Sequence, residues 1–234
     1  MNQAQPDGND VADKTNTREL WSNIRPMSGG FAGFPREAHE FFRNLARNNH
    51  RDWFQAHKDV YERACREPLK ALVSELDPMG TPHISRINRD MRFARDGGPY
   101  RTHIAAGVLR TYINLSAEGL YVGTGMYKPE PAVLQKFRAA IDADKSGREL
   151  AKIVSAIQRK GYTVGTHDTL NAAPRGYTMQ HPRIDLLRMK DIYAGRTIEP
   201  GALLTSRKAV AAVKKVMADV QPLGDWLAKY VARA

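Results

Sequence analysis

Five arginines, two aspartates and a histidine fall within the eighteen residues from Arg86 to His103, R-I-N-R-D-M-R-F-A-R-D-G-G-P-Y-R-T-H. A guanidinium keeps its charge at any working pH. So dense a group either neutralises its own neighbours in an arginine/aspartate ladder or holds an anion. Read as a strand, His83 to Phe93 puts Arg86, Asn88, Asp90 and Arg92 on one face and Ile87, Met91, Phe93 and Arg89 on the other. On that reading Asp90, ionised between Arg89 and Arg92, orients the guanidinium planes for bidentate capture of a phosphate or carboxylate. Asp96, Gly97, Gly98 and Pro99 turn the chain, and Tyr100, Arg101, Thr102 and His103 begin the return strand. His103 is the one group in the segment whose ordinary pKa permits proton transfer near neutrality.

A second polar cluster, Arg175, Gly176, Tyr177 and His181 with Pro182, reads as a loop with a titratable tip, and loops carry function more often than cores do. Gly123, Thr124 and Gly125 lie in a strand, where two glycines on one face admit a ligand or a neighbouring backbone. Their spacing is neither that of a dinucleotide fingerprint nor that of a P-loop. Trp53, Phe54 and Tyr61 read as core. The seven histidines are scattered without H-x-H or H-E-x-x-H spacing, so no metal site is expected. The adjacent His167 and Asp168 read as part of a polar loop. No G-x-S-x-G elbow or kinase-type loop occurs, and the residues name no cofactor.

The elements that must position these groups are legible in part. The chain has 234 residues and is 42% hydrophobic, enough for a real core. Residues 1 to 33 are polar and Gly-rich and read as a disordered leader, with Trp21 and Ile24 as a short docking turn, followed by one domain over 34–234. Helices are expected after Pro35 (Ala38, Phe41, Phe42, Leu45), over Trp53 to Cys65 and after Pro68, all by 3.6-residue spacing. The period then becomes alternating over His83 to Phe93, Thr102 to Leu109, Tyr112 to Leu115 and Leu120 to Met126. Short turns join these segments, which implies an antiparallel sheet. Helices resume over Pro131 to Ala143, Gly147 to Lys160, Ile184 to Leu187 and Ser206 to Val220, with a final turn carrying Trp226 and Tyr230. Helices grouped before and after a central antiparallel sheet of four or more strands make an α+β fold.

Composition sets the partners. The 36 Lys and Arg against 25 Asp and Glu leave +11, favouring phosphates, carboxylates, nucleic acid or an acidic partner. The single cysteine, Cys65, excludes an internal disulfide and a thiolate zinc cluster and suits a reducing compartment. No apolar run approaches a spanning helix and the N-terminus lacks a signal-peptide core, so a cytoplasmic protein without membrane contact is expected. Nothing in the sequence sets the oligomeric state.

The motifs N-N-H-R-D-W-F-Q-A-H-K at 48 to 58, R-I-N-R-D-M-R-F-A-R-D at 86 to 96, P-Y-R-T-H at 99 to 103, G-T-G-M-Y-K-P at 123 to 129, and R-G-Y with H-P at 175 to 182 occur in order. Together they resemble the microbial domain-of-unknown-function family 2461 from about residue 31 onward. The resemblance implies a single domain without an established activity. It marks Trp53, Phe54, Lys58, Arg86, Arg89, Asp90, Arg92, Phe93 and Asp96, then Pro99, Tyr100, Thr102, His103, Arg175, Gly176, Tyr177, His181 and Pro182. Arg95 and Arg101 stand where lysine is usual, and Asn88 where an aromatic is usual. The two lysine-to-arginine exchanges keep the charge but alter the hydrogen-bond geometry.

The leading expectation is a cleft for a small anionic molecule, with Arg86, Arg89, Arg92, Arg101, Tyr100, Arg175 and Tyr177 binding and His103, His181 and Asp90 as catalytic groups if the ligand reacts. A basic nucleic-acid surface that includes Lys208, Lys214 and Lys215 is the second, although aromatics do not interleave the basic strand. A structural or partner-binding module without a ligand is the third.

Overall fold

The structure, a computed structural model, describes residues 30–81, 83–90 and 98–232. Phe31 to Gly33, read as leader from their composition, belong to the same compact unit as the rest of the described chain. Phe31 and Phe34 are each 1% exposed and meet edge to face at 5.1 Å. Phe34 N–H donates to Leu204 O, and Gly33 (φ 123°) lies so close to Thr205 that a β-carbon would fall 2.4 Å from its backbone. Two large rings are thus buried by a segment whose composition is otherwise polar. Trp21 and Ile24 lie outside the described residues.

Helix α1 (Glu37–Arg47) buries Ala38, Phe41, Phe42 and Leu45, as its spacing requires. After Asn48 the chain is helical almost without interruption through α2 (Arg51–Ala56), α3 (Lys58–Val60), a π-helical turn (Tyr61–Arg66) and α4 (Glu67–Leu76). The expected break at Pro68 is absent. The widened turn ends just before Pro68, so the donor that proline lacks falls where the helical ladder is already displaced. Cys65 is fully buried in that turn, with its thiol 3.7 Å from Ala38 O, and burial pushes the thiol far above its ordinary pKa.

Strands β1 (His83–Ile84), β2 (His103–Val108), β3 (Thr111–Ser116) and β4 (Gly119–Met126) follow. Helices α5 (Pro131–Asp142) and α6 (Asp144–Arg159) come next, then β5 (Thr163–Gly165), α7 (Ile184–Arg188), β6 (Ile192–Ile198) and α8 (Lys208–Tyr230). The sheet has six strands in the order β1-β2-β3-β4-β6-β5, with every neighbouring pair antiparallel. Together with the flanking helices it makes the α+β fold. No helix among the described residues is long and apolar enough to cross a membrane.

Three expectations are corrected. The strand expected over His83 to Phe93 is reduced to His83–Ile84 plus one bridge, Asn88 to Tyr100, flanked by Arg89 N–H to Pro99 O and Arg101 N–H to Ile87 O. Met91 to Phe93 lie outside the described residues. β5 and β6 were not expected. Helix α8 does not stop near Val220. Pro222 is exposed and inside it, while Val220, Leu223, Trp226 and Leu227 continue one buried stripe. Burial of that stripe outweighs the hydrogen bond lost at proline.

One face of the sheet carries Ile104, Ala106, Ile113, Leu115, Leu120, Val122, Ile192 and Ala194 into the core. Helices α1, α4 and α8 pack there, against β3, β2 and β4 respectively. Trp226 Nε1–H donates to Ser146 O at 3.0 Å, tying α8 to the start of α6. At the far side of α8, Asp219 accepts from Lys160 Nζ (2.6 Å), Tyr162 Oη (2.6 Å) and Lys215 Nζ (3.0 Å), which holds its carboxyl well below the ordinary range.

Two stability predictions follow from this architecture. A depressed folded pKa gives stability that is present above the unfolded aspartate pKa and lost as pH falls through the folded value. Asp219→Asn should therefore lower the melting temperature at pH 7 and flatten its decline below about pH 4, the unfolded aspartate range. An unchanged acid slope would show that other carboxylates set it. The β2–β3 turn is made by Leu109 (φ 47°) and Arg110 (φ 62°), left-handed conformations that normally select Asn-Gly. Leu109→Asn should raise stability by about 1 kcal/mol, seen as a higher urea midpoint at constant slope. A lower midpoint would mean that the leucine side chain compensates its own strain.

Candidate functional site

The outward positions of the sheet read Ala105 and Gly107 on β2, Tyr112 and Asn114 on β3, and Tyr121, Gly123 and Gly125 on β4. Tyr193 and Gly195 on β6 and Gly165 on β5 complete them. Apart from the buried Ala105, none of them belongs to the core. Register makes this a floor with rings on it: Gly123 pairs with Gly195, Tyr112 with Gly123, and Gly125 with Tyr193. A β-carbon on Gly123 or Gly195 would fall 2.4 or 2.6 Å from Tyr121 Oη, and one on Gly165 would fall 3.1 Å from Tyr193 Oη. The tyrosines therefore lie along the sheet over glycine instead of standing away from it, an arrangement that any larger residue at these positions would displace.

The rings make two contacting groups, which the nearness of the Tyr121 and Tyr193 phenols joins into a row. Tyr112 and Tyr121 have centroids 6.4 Å apart, and Tyr193 leads on to His167 at 4.8 Å and His167 to Tyr127 at 5.0 Å. Burial, followed by the neighbouring phenols Tyr193 and Tyr112, pushes Tyr121 up to about 12, so it stays neutral. Asn114 Nδ2 reaches Tyr112 Oη at 3.4 Å. Its buried Oδ1 has no hydrogen-bond partner among the described residues, an acceptor left over on this face.

At the β2 end of the row stand Arg101 and His103, both half-buried. Burial lowers the His103 pKa and the nearby Arg101 charge lowers it further, so the imidazole is neutral at pH 7. The same charge opposes the rise that burial causes at Tyr112. Arg101 is thus close to both rings. What aims it is its neighbour. Tyr100 is 5% exposed and stacked on Phe54 at 4.1 Å, and its backbone is gripped on both sides by the Asn49 side chain, which accepts from Tyr100 N–H (3.0 Å) and donates to Tyr100 O (2.8 Å). Gly98 (φ 74°) passes beneath Asn49, where a β-carbon would fall 2.4 Å from Asn49 O. The Tyr100 ring, expected to bind ligand, is therefore a packing residue that fixes where Arg101 begins.

The expected site residues do not form one group. Arg89 is half-buried, with Nη1 3.4 Å from Gly98 O; Asp90 is half-buried beside it in sequence, and Arg86 is exposed. Arg92 lies outside the described residues. The 175–182 loop serves another end of the molecule. His181 Nε2 is 3.2 Å from Asp142 Oδ1, and its Nδ1 accepts from Arg183 N–H. Arg183 in turn donates to Ile141 O (2.7 Å) and Asp142 O (2.8 Å), closing the C-terminus of α5. Tyr177 packs at 6.2 Å from the His181 ring, and burial followed by Asp142 raises its phenol pKa. Arg175 is exposed. The hydrogen bonds of His181 and Arg183 thus tie this loop to the end of α5.

The opposite end of the row holds a pair that sequence reading missed. His167 Nδ1 is 2.9 Å from Asp191 Oδ2, and Asp191 Oδ1 accepts from Thr166 Oγ1 (2.7 Å) and His167 N–H (2.8 Å). Burial opposes ionisation of Asp191, but these bonds outweigh it and hold the carboxyl below its ordinary range. The partner of His167 is thus Asp191, twenty-four residues away, and not the adjacent Asp168, which pairs with Lys190 at 2.6 Å. No local motif announces such a pair. Among the described residues no three His, Cys, Asp or Glu side chains converge as a metal set.

The profile of a family described as "Conserved hypothetical protein (DUF2461)" matches residues 37–226. No curated protein matches the chain. The matched span runs from the first residue of α1 to Trp226 in α8 and takes in every strand of the sheet, the Asn49 grip on Tyr100 and both ends of the tyrosine row; the chain belongs to the DUF2461 family.

Proposed function

We propose that the tyrosine face binds a small anionic molecule that carries a planar ring, its phosphate or carboxylate at Arg101 and its ring on Tyr112 and Tyr121. The observation that carries this reading is the placement of one cation and one neutral imidazole beside a row of neutral phenols that takes no part in the core. Arg101 supplies a charge that is fixed at any pH. His103, uncharged at pH 7, donates or accepts a hydrogen bond there. The phenols offer π faces to a ring at little cost in side-chain order, because the strands already fix them. The unpaired Asn114 Oδ1 is an acceptor for a ring N–H.

A second reading, single-stranded nucleic acid, is favoured by the length of the row. From β2 to β5 there are four strand steps of about 4.8 Å, so the face is about 19 Å wide. That exceeds one nucleotide and suits several stacked bases. The aromatics interleave across strands, not along one, which is why the sequence argument against this reading loses force.

Calorimetric titration with a nucleoside monophosphate and with a single-stranded eight-nucleotide oligomer separates the two. Arg101→Ala and Tyr121→Ala should each weaken binding about tenfold or more, whereas Arg175→Ala on the remote loop should not. Equal losses in all three variants would indicate diffuse surface charge and sink the proposal. Affinity for the oligomer that falls steeply with salt, against a mild response for the monophosphate, selects the polymer.

A further inference from the structure

His167 is held as few surface histidines are. Asp191, 2% exposed, has Oδ1 already satisfied by Thr166 and the His167 backbone, so the loop is pinned without the ring. Among the described residues Oδ2 is left to the imidazole alone. That bond fixes Nδ1 as the donor and leaves the lone pair on Nε2. The His167 side chain is nonetheless 53% exposed. It is an oriented base open to solvent, flanked by Tyr193 and Tyr127 at the end of the ring row. Lys128, at a positive φ of 43° that a lysine rarely adopts, bends its ammonium to 5.3 Å from the Tyr127 ring.

The parts are a base, a cation and stacking rings. Among the described residues no hydrogen bond joins the imidazole to a thiol or hydroxyl: Cys65 is buried elsewhere, the Thr166 hydroxyl is engaged with Asp191, and Tyr193 and Tyr127 meet it ring to ring. Such a set suits a reaction whose nucleophile arrives with the substrate, and the ribose 2′-hydroxyl beside a phosphodiester is that nucleophile. We infer that His167, oriented by Asp191, is the general base of a site that cleaves single-stranded RNA, its bases stacked along the tyrosine row. This rests on the nucleic-acid reading of that row. His167 Nε2 takes the proton of the 2′-hydroxyl and the 2′-oxygen forms a bond to phosphorus. The bond from phosphorus to the 5′-oxygen breaks, and the departing oxygen takes a proton back from the imidazolium. The products are a 2′,3′-cyclic phosphate and a free 5′-hydroxyl. Nothing is oxidised and no water is consumed. The Lys128 ammonium offsets charge on the phosphoryl oxygens, and Asp191 stays ionised as a positioning residue.

The test uses the full chain with a labelled twelve-nucleotide RNA, the same sequence as DNA, and the RNA with 2′-O-methyl groups, following binding by anisotropy and cleavage by product analysis. All three should bind, and RNA alone should be cut, giving cyclic-phosphate ends. His167→Gln, a change at an exposed ring, should slow cleavage by about 100-fold or more with binding intact. Asp191→Asn should lower kcat with KM within about twofold, the split expected of a residue that acts through another. RNA that binds and stays intact, or that is cut equally by the His167→Gln protein, overturns the inference and leaves the binding surface standing. Failure of every oligomer to bind overturns the nucleic-acid reading itself, and with it this one.

Discussion

The two-residue alternation of β4, shared through its register with both β3 and β6, is the constraint on which the molecule depends. Leu120, Val122 and Thr124 must point into the helices, so Tyr121, Gly123 and Gly125 must point out. A one-residue slip would exchange the two sets. It would bury a phenol under α8 and place branched side chains where the floor now needs glycine. Core and candidate site are therefore specified by the same hydrogen bonds, and Gly224 of α8, whose β-carbon would fall 3.0 Å from Thr124 Oγ1, shows how closely the inner face is filled. The outer face can be sparse because the inner one is dense.

Local pattern made much of this legible. The spacing of Ala38, Phe41, Phe42 and Leu45 foretells α1, and the alternation over Tyr112 to Leu115 and over Leu120 to Met126 foretells β3 and β4. What failed was whatever depends on distant chain. β6 was missed although Ile192, Ala194 and Ile198 alternate, because its hydrogen-bond partners come from β4, some seventy residues earlier. Pro222 reads locally as a helix stop, and only the buried stripe on either side of it shows why α8 continues. Phe31 was assigned to the leader by the composition around it, while its environment is set by residues at the other end of the chain.

The site was legible in a different proportion. Arg101 and His103, which the proposed site uses, stand out in the sequence because charge is visible there. Tyr100 was misplaced because its role depends on Asn49, fifty-one residues away, and tyrosine reads alike in a cleft and in a core. Tyr112, Tyr121 and Tyr193 become a row only once three strands are in register, and His167 acquires its partner only in space. The R-G-Y and H-P motifs, which look like a second half of the site, close the end of α5 through Arg183 and His181. Their polar character answers the open carbonyls of a helix terminus.

Cys65 gives the protein a chemical clock. The chain has one thiol, and it lies fully buried at the π turn where α1 meets the helical run, with its deprotonation strongly opposed by burial. Because the thiolate is the reacting species, oxidants and alkylating reagents find nothing to attack while the packing against Ala38 is closed. Modification of this sulfur can proceed only through moments when that packing parts. Its rate then reads the opening equilibrium of the N-terminal helices directly, separately from events at the sheet face on the other side of the molecule.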